Sequence, residues 1–166
     1  MDKGVKFEIF DWLESIVIAV VVVTVLFTFV FKIVTIDGES MVPTLQNNDR
    51  VIISQLFYTP KQGDIVVLSV AISDKPYIKR VIATEGQTVD INFNTGVVSV
   101  DGVELDEPYI KDLTYLRGDV EFPVVVPQGK LFVMGDNRNN SQDSRFSSVG
   151  MVDQSAIIGH AIFRIM

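Results

Sequence analysis

The hydrophobic positions of the chain fall into two regimes. From Ser15 to Phe31 it reads SIVIAVVVVTVLFTFVF, 17 residues without a charge, glycine or proline, and beyond Lys32 the apolar run resumes as Ile33-Val34-Thr35-Ile36. Strands run about 3–10 residues, so this stretch is too long for one. It reaches the roughly 17–25 residues that a membrane-crossing helix needs, and Lys32 can extend its ammonium to the bilayer interface. A cleaved export signal has an apolar region of only about 7–15 residues and ends on small residues. The pattern therefore predicts a retained single-pass anchor over 15–36 behind a short tail over 1–14. Lys3 and Lys6 before the span balance Lys32 and Arg50 after it, so the basic residues leave its orientation open.

Past residue 36 the period shortens. Short runs rich in Val, Ile and Phe recur at 50–58, 64–70, 77–84, 88–93, 96–100, 123–127, 130–135 and 156–165, separated by Gly, Asp, Asn and Pro. Asn94-Thr95-Gly96 and Asp101-Gly102 are hairpin punctuation. Only a weak helical turn around 106–118 interrupts the pattern. Residues 37–166 are thus expected to form a mostly β domain, a sandwich or barrel-like body of antiparallel strands.

Composition narrows the chemistry. The chain has no cysteine and one histidine, His160, so thiolate nucleophiles, disulfides and multi-histidine or cysteine metal sites are excluded. The body holds 11 basic and 17 acidic side chains, a net −6, which argues against nucleic acid as a partner. No cofactor or metal is expected.

Four segments carry candidate chemistry. Ile36 to Leu45 (IDGESMVPTL) would expose Ser40 in a tight loop shaped by Gly38 and Pro43; taken alone it is a turn serine. Tyr77-Ile78-Lys79-Arg80 places a lysine among apolar neighbours, where strand alternation sets Lys79 on the face opposite Ile78 and Arg80. Gly135 to Arg145 (GDNRNNSQDSR) is glycine or polar throughout, a loop folded on its own side-chain bonds. Lys61 to Val67 is a turn feeding a strand. Without cysteine or a neighbouring histidine, a serine hydroxyl can be activated by a neutral lysine. That demands a lysine pKa below its usual ~10.4, and desolvation supplies the shift.

Ser40-Met41-Val42-Pro43-Thr44, Gly63-Asp64-Ile65-Val66, Lys79-Arg80-Val81 and Gly135-Asp136-Asn137-Arg138 through Asp143-Ser144-Arg145 occur in that order behind an anchor. Together they resemble the motif set of bacterial type I signal peptidases, in the short Gram-positive form, over residues 14–165. The resemblance implies a β catalytic domain on the extracytoplasmic side of the cell membrane, held by a single span. It would remove signal peptides from exported preproteins after small residues of Ala-x-Ala type. Its partners would be those preproteins and the lipid bilayer. By resemblance Ser40 is the nucleophile and Lys79 the general base. Ser141 orients the lysine, and Asp143 and Arg145 form a supporting pair. Met41, Leu45, Tyr77 and Ile78 fall where the family lines its substrate pockets.

Three features depart from the family pattern. Ala83 to Gln87 replaces a common Gly-Leu-Pro-Gly-Asp, which alters a turn. Asn139 stands where aspartate is common. Gly38 stands where some members carry a serine that donates to the oxyanion. Other readings compete less well. A self-cleaving repressor of similar fold would need a DNA-binding segment, a binding module would not need Ser40 and Lys79, and a histidine-based relative would not have Lys79 at that position. A lone histidine in an apolar strand is more often structural, so His160 is read as such.

Overall fold

The computed structural model describes residues 3–70 and 72–165. The chain divides after Lys32 into two compact units. The first is one helix, α1, from Lys3 to Val30. A 19-residue segment within it, Phe10–Thr28, is long and apolar enough to cross a membrane. At 1.5 Å per residue it spans about 28 Å, close to a bilayer's hydrocarbon thickness. Its apolar side chains, Ile16, Val17, Ile18 and Leu26 among them, are exposed on every face.

The helix lies earlier than the expected 15–36 span. α1 already covers Lys3 to Glu14, and Phe31–Thr35 is a strand, β1. Apolar runs do not by themselves distinguish strand from helix. The aromatic and β-branched residues at 31–35 favour an extended backbone, and the strand Arg50–Ser54, β2, offers a ladder beside them.

Among the described residues of the second unit the regular elements are strands apart from one 3-10 turn at Gln154–Ala156. Its larger sheet includes β1, β2 (Arg50–Ser54), β3 (Ile65–Leu68), β4 (Tyr77–Thr84), β9 (Lys130–Met134), β10 (Val152–Asp153) and β11 (Ile157–Ile165), in the order β1-β2-β11-β3-β4-β9-β10. The smaller sheet, in the order β7-β6-β5-β8, holds β5 (Thr88–Asn92), β6 (Val97–Val100), β7 (Val103–Glu104) and β8 (Val124–Val125). The two turns read from sequence are present. Gly96 (φ 78°) lies between β5 and β6, and Asp101 (φ 53°) with Gly102 (φ 77°) lies between β6 and β7. Residues 106–118 form turns and irregular chain without a helix.

Strand β4 sits near the middle and organises three apolar clusters. Ile82 and Ala83 pack with Val89, Ile91, Phe132 and Met134, joining the sheets. Val81 joins Val66, Leu68, Leu131 and Val133. Ile78 joins Ile36, Met41, Leu45, Val51, Ile53 and Val67. Lys79 is thus held on a strand anchored by packing both before and after it.

Candidate active site

Ser40 lies on the loop between β1 and β2, which closes on itself. Ile36 N–H donates to Asp49 O (2.8 Å), Asn48 N–H to Ile36 O (2.9 Å) and Gly38 N–H to Asn47 Oδ1 (2.9 Å). Asn137 then fixes the two carbonyls around the serine: its backbone N–H donates to Ser40 O (2.9 Å) and its side-chain amide to Glu39 O (3.1 Å). Gly135 permits this approach, because a Cβ there would overlap both Ser40 O and Ser141 Oγ.

Lys79 reaches the serine from β4. Its Nζ donates to Ser40 Oγ at 2.9 Å and to Ile78 O at 2.9 Å, so the stem folds back along its own strand. The residue is only 4% exposed. Burial pulls its pKa from the usual value down to about 8; Arg145 adds to the lowering, while Asp143 and Asp136 oppose it. Near neutrality roughly a tenth of such a lysine is neutral, enough to act as a base.

Two buried ion pairs frame the lysine. Arg145 donates from Nε to Asp143 Oδ1 (2.8 Å) and from Nη2 to Oδ2 (2.9 Å), with both side chains fully buried. Asp143 Oδ2 also accepts from Ser141 Oγ (2.7 Å) and Gly135 N–H (3.0 Å). On the other side, Arg80 donates to Asp136 from Nε (2.8 Å) and Nη2 (2.6 Å), and Thr44 Oγ1 donates to the same carboxylate (2.5 Å). A third pair, Arg138 with Glu107 (2.6 Å), is also buried. Such fork-on-fork pairs fix position as well as charge.

Ser40 and Lys79 open onto a cleft of about 600 Å³. Its lining includes Val34–Glu39 and Pro76–Ile78 together with Leu116, Asn139, Asn140, Gln142 and Phe146. The exposed Asp37 and Lys75 pair at 2.6 Å on its rim. A serine, a partly neutral lysine and an open groove together suit acyl transfer from an extended peptide.

The signal peptidase, peptidase S26 family model matches residues 9–166. The chain belongs to that family. It is 38% identical over 170 residues to signal peptidase I P of Bacillus subtilis subsp. natto, covering 95% of this chain and 89% of that protein. It is 42% identical over 161 residues to a probable signal peptidase I-1 of Synechocystis, covering 90% and 78%. It is 36% identical over 177 residues to signal peptidase IB of Staphylococcus aureus, covering 96% and 90%. Among solved structures, a signal peptidase I from Enterococcus faecalis V583 is similar at 23% identity and a TM-score of 0.49, covering 64% of this chain and 98% of that one.

Several residues sit elsewhere than the family resemblance implies. Met41 and Leu45 were expected in substrate pockets, yet they are 1% and 4% exposed and pack behind Ile36, Val67 and Ile78, which do line the cleft. Tyr77 and Ile78 line it directly. Ile78 and Lys79, adjacent on β4, both reach the cleft despite strand alternation, through the lysine's folded stem. Ser141 lines the cleft too, but its hydroxyl donates to Asp143 and not to Lys79. Val34, Ile36 and Val67 escaped the sequence reading, the first two because they were assigned to the membrane span. The Arg80–Asp136 pair escaped it because its partners lie 56 residues apart.

The departures are resolved by geometry. Gln87 Oε1 accepts from Thr84 N–H (2.9 Å) and Thr84 Oγ1 (3.1 Å), closing the 83–87 turn away from the cleft lining. Gly38 has φ 102°, a backbone that suits glycine. A serine there would meet no neighbour within 4 Å, so the penalty is conformational strain, about 1–3 kcal/mol. Gly38→Ser is therefore expected to lower the melting temperature and reduce cleavage instead of adding an oxyanion donor; a gain in kcat would contradict this backbone. His160 is stacked on Tyr58 (4.0 Å between centroids, 12° between planes) and is absent from the cleft lining.

Proposed function

We propose that this protein is a membrane-anchored serine endopeptidase that cleaves signal peptides from exported preproteins after Ala-x-Ala, with Ser40 as nucleophile and Lys79 as general base. Its domain lies on the extracytoplasmic side, tethered by the apolar helix. The observation that carries the reading is the 2.9 Å contact between Lys79 Nζ and Ser40 Oγ at a lysine whose burial lowers its pKa to about 8.

The substrate enters as an extended strand between Val34–Glu39 and Tyr77–Ile78, through backbone pairing of the kind used in β-augmentation. Strand alternation turns the residues one and three before the cut into the apolar wall. Ile36, Val67 and Ile78, backed by Met41 and Leu45, leave room there for small side chains only. Neutral Lys79 takes the Ser40 proton as Oγ bonds to the scissile carbonyl carbon. Backbone N–H groups, that of Ser40 included, stabilise the oxyanion, each worth about 3–4 kcal/mol where one has been removed. The C–N bond breaks as Lys79 returns the proton to the leaving amine. A water then attacks the Ser40 ester while giving its proton to Lys79, which passes it to Ser40 Oγ as the signal peptide leaves.

Co-anchoring an enzyme with a membrane-held signal peptide raises their effective concentration. The test is cleavage of such a preprotein in detergent across pH. The base works only when neutral, so kcat/KM should rise about tenfold per unit below the lysine pKa and level off above about 8. A flat profile from acid to alkaline pH would remove Lys79 as the base.

A further inference from the structure

Asn139, noted as standing where aspartate is common, has a defined task. Its Oδ1 accepts the backbone N–H groups of Tyr115 (3.0 Å) and Leu116 (2.9 Å), and its Nδ2 donates to Leu113 O (3.0 Å). One amide thus clamps three backbone groups of residues 113–116. The same loop holds this segment twice more. Arg138 Nη1 donates to Thr114 Oγ1 (3.1 Å), and Arg145 Nη1 donates to Leu116 O (3.0 Å). Thr114 is fully buried, whereas Leu116 turns into the cleft.

We infer that Asn139 is a positioning residue that holds Leu116 as a wall for the part of the substrate after the cut. This rests on the Ser40–Lys79 reading. If residues before the cut fill the groove between Val34–Glu39 and Tyr77–Ile78, the rest of the same cleft is left for the residues that follow. Its lining, Leu116, Asn139, Asn140, Gln142 and Phe146, carries no formal charge. Amide side chains both donate and accept, so this wall suits the backbone of an extended peptide whatever its side chains. An aspartate at 139 would accept from Tyr115 and Leu116 but could not donate to Leu113 O.

The test compares two substrates that share a signal peptide and Ala-x-Ala site, one with a long mature segment and one cut back to a single residue after the cut. Wild type should bind the long one more tightly. Asn139→Ala should raise KM for the long substrate about five- to tenfold, with the change confined to KM, and the penalty should shrink on the short one. Asn139→Asp should fall between. If Asn139→Ala does not fold, Leu116→Ala, which leaves the clamp intact, should show the same length-dependent rise. Equal KM for both substrates in wild type, or a kcat loss common to both, would overturn the inference while leaving the peptidase reading in place. Failure of wild type to cut either would end both.

Discussion

Lys79→Arg is expected to abolish cleavage, lowering kcat by on the order of 10⁴-fold or more. Proton transfer, more than charge, separates the two side chains. As the proposed base, Lys79 depends on the burial that depresses its pKa to about 8, so that some of it is neutral at working pH. A guanidinium stays protonated at any pH where the protein is folded and cannot accept the Ser40 proton. It also brings a larger, forked head into a site that is 4% exposed. Lys79→Met separates the two effects, since it removes the base while filling a similar volume with an apolar chain. Both variants should lose cleavage, and Lys79→Met should retain a cooperative melt. Residual turnover in either should no longer rise through pH 8. Cleavage by Lys79→Arg within tenfold of wild type would exclude the lysine as base.

The second large effect is expected at Asp143. Its carboxylate accepts from both arms of Arg145, from Ser141 Oγ and from Gly135 N–H. Asp143→Ala strands the Arg145 guanidinium, itself fully buried, and breaking such a pair from one side is destabilising by about 3–5 kcal/mol. Against a total stability of roughly 5–15 kcal/mol, this should lower the melting temperature by about 10–20 °C and release Ser141 and Gly135 from beside Ser40. Asp143→Asn tests the electrostatics separately. The aspartate raises the lysine pKa and Arg145 lowers it, so neutralising the acid moves the lysine pKa down. The pH–rate midpoint of whatever enzyme folds should shift toward acid. A shift toward alkaline pH would mean that another charge governs the lysine.

How far the site was legible in the sequence depends on the range of each interaction. Strands β4 and β11 could be read closely because each is an Ile-containing apolar run that follows polar residues. The helix boundary could not. Apart from Lys32, Phe31 to Ile36 continues the apolar run of the span, and it is pairing with β2 that draws Phe31–Thr35 into a strand. That misassignment also hid Val34 and Ile36 as cleft wall. The absence of cysteine and the single histidine made Ser-Lys chemistry available, and the motif resemblance singled out Ser40 and Lys79 for it. Their 2.9 Å contact across 39 residues is tertiary information. Met41 and Leu45 were placed in pockets by the family resemblance alone; their burial behind Ile36, Val67 and Ile78 depends on packing that no local pattern shows. Asn139 looked like a lost charge until its three backbone partners were located.

The account is tested most directly by incubating a preprotein carrying an Ala-x-Ala site with wild type, Ser40→Ala and Lys79→Ala in liposomes. The new N-terminus is read by mass spectrometry. The account predicts one cut immediately after the second Ala, made by wild type and lost in both variants while each still melts cooperatively. Cleavage that persists in Lys79→Ala, or a folded wild type that makes no cut, would contradict it.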